Sequence, residues 1–172
     1  MINLPHYSYI KSHCILSLSR YWKKNEFLIK NLPILEKRNF VLKVPLKLIS
    51  IEMPVWAHSV CICKSILVPE EIAGREKNWE KIDWFLVIFI LLENIHEREI
   101  ENLKGPIHSY SFFLNNWDKR VWERAWVNRI AIFLRRWASK INSECEINIF
   151  GVIPSPEIIL THDIDAVKKT IP

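Results

Sequence analysis

The sequence is poor in glycine, with three glycines among 172 residues. Loops that wrap around nucleotide phosphates need several glycines at fixed spacing, because the backbone must turn tightly and approach the ligand closely. Neither G-x-G-x-x-G nor G-x-x-x-x-G-K occurs in the chain. Nucleotide binding through either of these motifs is therefore excluded.

Long hydrophobic runs are also lacking. The longest is Trp84–Leu92, bounded by Asp83 and Glu93, and it is well short of the roughly 20 residues that cross a bilayer. Basic and polar residues interrupt the N-terminal stretch, so no signal-peptide core is found there. We therefore expect a soluble, cytoplasmic chain without a membrane partner.

Cysteines are few and scattered, at positions 14, 61, 63 and 145. The pair Cys61-x-Cys63, on one side of a predicted strand, is spaced too closely for a structural zinc knuckle, and no second pair follows it. Free cysteine is among the most frequently buried residue types. All four are therefore predicted to be reduced core thiols.

Positive charge is concentrated in one part of the sequence. The chain carries a net charge of +5, with +6 in residues 1–70 and −1 in residues 71–172. A basic N-terminal segment of this kind can bind nucleic acid or another anionic surface. Since no nucleic-acid signature accompanies it, we expect a solubilising face and no nucleic-acid partner.

Hydrophobic patterning predicts both strands and long helices. Eight tryptophans and an apolar fraction of 49% are enough for a packed core. The predicted strands cover residues 40–51, 58–68 and 146–152. The predicted helices cover Tyr21–Leu32, Asn78–Leu103 and a segment from Asn116 or Asp118 to Lys140. The middle of the second helix, Trp84–Leu92, is apolar on every side and is expected to be buried, and Gly105 is expected to end that helix. In the last helix, apolar residues recur at helical spacing and define a core face: Trp122, Trp126, Ile130, Phe133 and Trp137.

Two polar clusters upstream of the C-terminal region contain residue types that are typical of functional sites. Glu93-x-x-His96 has the spacing of one di-iron ligand unit, but such sites need two units and further glutamates, so a solvated helix face is expected. The loop that contains His108, Tyr110 and Ser111 could bind a sugar or supply a nucleophile, although no oxyanion-hole pattern surrounds it.

The clearest chemical signal lies near the end, where an apolar run leads into Thr161-His-Asp-Ile-Asp165. Residues two apart point to the same side of a strand, so Asp163 and Asp165 would lie side by side. Such a carboxylate pair can hold a divalent metal or provide a general base. Alternatively, an aspartate caps a short helix over residues 166–169. Spacing alone leaves both interpretations open.

Leu160-Thr-His-Asp-Ile-Asp165 resembles the first motif of the polysaccharide deacetylase family of carbohydrate esterases. Upstream residues resemble the domain that precedes the catalytic domain in some branches of that family: Asp83-Trp-Phe, Phe89 to Glu93, Glu97 and Val121–Ile130. The resemblance covers about residues 78–172. Residues 1–152 are predicted to form an accessory α/β (α+β) domain with a small mixed sheet and two long helices. Residues 153–172 would begin a truncated domain with the first strand of an incomplete (β/α) barrel.

The resemblance also implies roles for the two aspartates. Asp163 matches the family's general base, and Asp165 is the nearest match to its metal ligand, displaced by one position, so the two roles could be exchanged. The family completes its zinc or similar divalent site with later histidines, and no histidine follows His162. The full-length parent would remove acetyl groups from carbohydrate, whereas this chain alone would bind no metal and be inactive. The alternative is a non-catalytic binding domain, and the oligomeric state stays open.

Overall fold

The computed structural model describes residues 4–34, 42–43, 46–61, 63–105, 118–121 and 123–155. In this part of the chain, helices pack around a two-stranded antiparallel sheet. The predicted mixture of helix and strand in an α+β arrangement is confirmed. The predicted barrel strand begins beyond residue 155 and lies outside the described residues.

The elements follow one another from the N-terminus to residue 150. The helices are α1 Tyr7–Ser17, α2 Ser19–Trp22, α3 Glu26–Lys30, α4 Val55–Cys61, α5 Glu70–Ala73, α6 Trp84–Leu92, α7 Ile95–Lys104, α8 Trp126–Ile141 and α9 Glu146–Phe150. The strands are β1 Leu48–Glu52 and β2 Ser65–Pro69, and single 3-10 turns cover Trp79–Lys81 and Lys119–Val121.

The centre of the core is α6, which consists entirely of apolar residues. Its residues from Trp84 to Ile90 are all buried, as expected for a helix that is hydrophobic on every side. The helix packs against α1 on one side and α8 on another. The prediction that Trp84–Leu92 lies in the interior is confirmed for Trp84–Ile90, whereas Leu91 and Leu92 are only partly buried.

The sheet is a β1–β2 pair connected through α4, with Leu48 opposite Pro69 and Ile51 opposite Ile66. Arg120 covers the free edge of β1, since its Nη2 donates to the Leu48 carbonyl over 3.2 Å. Asp118 holds the same guanidinium, with its Oδ1 2.8 Å from Arg120 Nε. An edge covered in this way has fewer groups free to pair with another strand.

The predicted core face of the last long helix is confirmed where it is described. Trp126, Ile130, Phe133 and Trp137 of α8 are buried. Phe133 lies at the centre of an aromatic cluster with ring-centroid distances of 5.2 to 5.8 Å to the rings of Trp56, Trp79, Trp84 and Trp137. The helix itself begins at Trp126, so the predicted start at Asn116 or Asp118 is wrong. Asp118 binds Arg120 and introduces only the 3-10 turn over Lys119–Val121.

The predicted helix over Asn78–Leu103 is divided into three pieces. A 3-10 turn ends at Lys81, and Asp83 then caps α6 by accepting the Leu86 N–H over 3.0 Å. After α6, Asn94 adopts the left-handed conformation with φ 49°, which ends one helix and starts the next. The stop at Gly105 is confirmed, since its φ of 87° is unfavourable for residues with a Cβ.

Two of the predicted strands need correction. The first part of the 58–68 strand belongs to α4, and β2 begins only at Ser65. Residues 146–150 form α9, because Ile149 and Phe150 pack inward while Ile147 is exposed, a helical and not an alternating pattern. The strand predicted over residues 40–51 is observed as Leu48–Glu52, with part of its range outside the described residues.

The N-terminal segment is more helical than the sequence indicated. Helix α1 begins after His6, whose Nδ1 accepts the Ser8 N–H over 3.4 Å. The predicted helix over Tyr21–Leu32 appears as α2 and α3, separated at residues 23–25, and α3 ends before Pro33. Together these short helices bury Cys14, Trp22 and Ile29 against the core.

Candidate functional site

The residues with the strongest predicted chemistry lie outside the described part of the chain. These are Asp163, the predicted base, and Asp165, the predicted metal ligand, together with the rest of the motif from Thr161. The loop residues His108, Tyr110 and Ser111 also fall outside it. Their proposed roles therefore remain predictions from the sequence.

The Glu93-x-x-His96 spacing does not form a metal site, because its two residues serve different neighbours. Glu93 Oε1 lies 2.7 Å from His13 Nε2, and its other oxygen lies 3.2 Å from Arg98 Nη2. His96 instead accepts the Leu46 N–H over 3.2 Å. Throughout the described ranges, no three His, Cys, Asp or Glu residues are grouped closely enough to hold a metal ion. Glu93 thus fits the expected salt-bridged face.

His96 departs from that expectation because it is buried. It lies beside a small cavity lined by Leu48 of β1, Ile90 of α6, Glu97 of α7 and Asn94 between the two helices. Burial lowers the pKa of His96 to about 4, since desolvation penalises the charged imidazolium. The ring is therefore neutral near pH 7, which leaves a lone pair on Nε2 for the Leu46 N–H.

Asp83, part of the upstream resemblance, is a fully buried carboxylate with structural partners. Its Oδ1 accepts the Tyr7 hydroxyl over 2.9 Å as well as the Leu86 N–H that begins α6. The residue therefore connects α1 to the start of α6. Two hydrogen bonds from different elements make Asp83 a positioning group of the fold.

Cys14 of α1 lies near Asp83 and is chemically inert. Its thiol donates to the Phe85 carbonyl over 3.3 Å. Burial, followed by the nearby charges of Asp83 and Glu93, raises the pKa of Cys14 to about 12, so the reactive thiolate is scarce. The core-thiol prediction is confirmed for Cys14, but it is wrong for Cys145, which is exposed, and Cys63 is only partly buried. Cys61 ends α4, so the expected Cys61-x-Cys63 pair on one strand does not form.

A buried arginine connects three helices, and the sequence pattern gave no indication of it. Arg135 has no exposed surface, although it is not among the residues of the predicted core face of its helix. Its Nε donates to Glu146 Oε1 over 2.6 Å and its Nη1 to the Tyr21 carbonyl over 3.1 Å. Nη2 donates to the Gly151 carbonyl. One side chain thereby joins α2, α8 and α9.

A groove lies where the described chain leaves the folded core. It has a volume of about 570 Å³ between α8, α9 and the segment after Gly151. Ile147, Val152 and Ile153 supply exposed apolar surface, and Arg136 and Lys140 supply charge. The residues that follow this segment in the chain lead to the Asp163 motif.

Comparison with protein-family models, with curated proteins and with solved structures gives no match for this chain. The deacetylase resemblance is neither supported nor opposed by that result. Among the described residues, none of the helices combines the length and hydrophobicity needed to cross a lipid bilayer.

Proposed function

We propose that this chain supplies the N-terminal accessory domain of a polysaccharide-deacetylase-like protein and the first catalytic motif of that protein. The observation that carries the proposal is Thr161-His-Asp-Ile-Asp165, an acidic pair directly after an apolar run. In the parent protein Asp163 would act as general base and Asp165 as a metal ligand. The substrate would be an acetylated carbohydrate.

The described fold supports the division between the two units. Helix α9 ends at Gly151, whose φ of 77° is unfavourable for other residues, and no helix or strand follows up to Ser155. Pro154 and Pro156 then flank a short stretch before the apolar run. A stiff, proline-containing connection is suited to joining two separately packed units.

The residues of this chain do not complete a catalytic zinc site by themselves. Such a site uses three protein ligands and one open position. The motif offers two carboxylates, one of them proposed as the base, and no histidine follows His162. The remaining ligands would come from sequence beyond residue 172, and we derive no reaction step within this chain.

The proposal is tested on the protein encoded by the continuous reading frame that includes this chain. Acetate release from an acetylated oligosaccharide is measured with and without a metal chelator. We expect Asp163→Asn and Asp165→Asn each to reduce turnover by at least about 100-fold, because each removes a base or a ligand. Asp118→Asn is the matched control, since Asp118 binds Arg120 at the sheet edge. Unchanged activity in both motif variants would refute the assignment.

A second candidate is a non-catalytic interaction domain, favoured by the exposed apolar groove between α8 and α9. In that case the tail residues need no catalytic continuation. Paired Ile147→Ser and Val152→Ser substitutions would then abolish partner binding without affecting folding, because both side chains are largely exposed. Binding to a partner that survives both substitutions would exclude this groove as the contact.

A further inference from the structure

The N-terminal helices form a second groove, on the surface between α1 and α3. It has a volume of about 650 Å³, and Ile15 is the buried residue among those that line it. Leu16 from α1 and Phe27 from α3 lie along it with 74% and 68% of their surfaces exposed. Large apolar side chains that remain this exposed on neighbouring helices form a patch of the kind that marks an interaction surface.

The same segment carries a strong excess of positive charge. Residues 4–34 contain five lysines and arginines and one acid, Glu26. Lys30 lines the groove and lies 2.7 Å from Glu26, whereas Arg20 and Lys23 are exposed in the short stretch that joins α1 to α3. Exposed apolar residues among cations are the composition of a surface that lies on an anionic membrane.

We propose that the α1–α3 surface docks reversibly on an anionic lipid bilayer. Leu16 and Phe27 would enter the boundary between headgroups and acyl chains, and the cations would contact the acidic headgroups. Nucleic acid explains the charge but not the exposed leucine, because a phosphate backbone gains nothing from an aliphatic side chain. This revises the expectation of no membrane partner, and it is independent of the deacetylase proposal.

The experiment is flotation of the whole chain with vesicles of phosphatidylcholine that contain either no or about 30 mol% phosphatidylserine. We expect binding only to the acidic vesicles, and loss of binding in about 0.5 M NaCl. Phe27→Ser and Leu16→Ser should each weaken binding about tenfold, because each removes one apolar side chain that would enter the bilayer. Leu103→Ser, at a comparably exposed leucine outside the groove, should have no effect.

The charge contribution is tested separately, so that the proposal does not depend on one kind of variant. Lys23→Gln combined with Lys30→Gln should weaken vesicle binding about 25-fold, because the loss of each cation near an acidic membrane weakens binding about fivefold. Circular dichroism checks that each variant is folded. No binding to acidic vesicles would overturn the proposal. Single-stranded polyuridylate serves as the nucleic-acid probe. The lipid proposal would also be overturned if the chain bound this RNA as tightly as it binds lipid and if neither serine substitution weakened the RNA binding. That result would indicate a nucleic-acid surface.

Discussion

At the scale of single residues, buried polar groups set the geometry of this fold. Asp83, His96 and Arg135 are each nearly or fully inaccessible to solvent, and each forms a hydrogen bond to an element distant in sequence. Buried polar groups are costly unless they are paired, so each requires its partner to stay in place. These contacts position α1, β1, α2 and α9 around the apolar core.

Arg135 provides the sharpest test of that role. We expect Arg135→Met to reduce the free energy of unfolding by about 3 kcal/mol, because it leaves the Tyr21 and Gly151 carbonyl groups without this donor and the buried Glu146 carboxylate without one of its two arginine partners. Arg136→Met is the matched control: Arg136 also binds Glu146, but its side chain is 37% exposed. The control should cost about 1 kcal/mol or less. Urea denaturation measures both, and equal small losses would contradict the role of Arg135.

His96 should make the stability depend on pH. Its folded pKa of about 4 lies below the ordinary value of 6.5. The unfolded chain therefore binds more protons between these values, and stability is lost as pH falls from about 6.5 toward 4. We expect the loss from this group to be about 3 kcal/mol. His96→Gln should flatten that part of the stability–pH curve. An unchanged slope in His96→Gln would refute the assignment.

At the scale of elements, the sequence predicted burial better than it predicted boundaries. The apolar run Trp84–Leu92 and the face from Trp126 to Trp137 were recognised because burial follows directly from hydrophobic spacing. The breaks at Asp83 and Asn94 were missed, because each depends on a local hydrogen bond or backbone angle.

Two larger errors, the predicted strand near residue 146 and the unrecognised buried Arg135, also arise from contacts that hydrophobic spacing does not reveal. A strand was predicted over residues 146–152, but Glu146 is held by an arginine of α8, and residues 146–150 pack as a helix. The contact between Arg135 and Glu146 joins residues eleven positions apart, so it does not appear as a periodic pattern of hydrophobic residues in the sequence. The buried Arg135 was missed for the same reason, since arginine is usually found on the solvated face of a helix.

The break between α6 and α7 can be tested at Asn94. Its left-handed φ of 49° is one that asparagine and glycine tolerate better than other residues. We expect Asn94→Gly to leave the free energy of unfolding within about 0.5 kcal/mol, and Asn94→Ala to lower it by about 1 kcal/mol. Thermal unfolding compares the two. A more stable alanine variant would show that α6 and α7 can form one continuous helix.

At the scale of the whole molecule, the predicted boundary near residue 152 implies that the core does not depend on the tail. Phe150 is the last buried apolar residue of the described part. We expect a chain ending at Ser155 to unfold cooperatively, with a free energy within about 1 kcal/mol of the full chain, because no described core contact would be removed. Urea denaturation of both forms measures this. A loss above about 2 kcal/mol would place the tail in the core.

The central proposal, that residues 161–165 open a metal-dependent deacetylase domain, is tested most directly by the nucleotide sequence that follows codon 172 in the source genome. We expect that sequence to encode a further (β/α) domain that contains two histidines in a His-x-x-x-His arrangement. Downstream sequence that encodes no such domain in any reading frame would contradict the proposal.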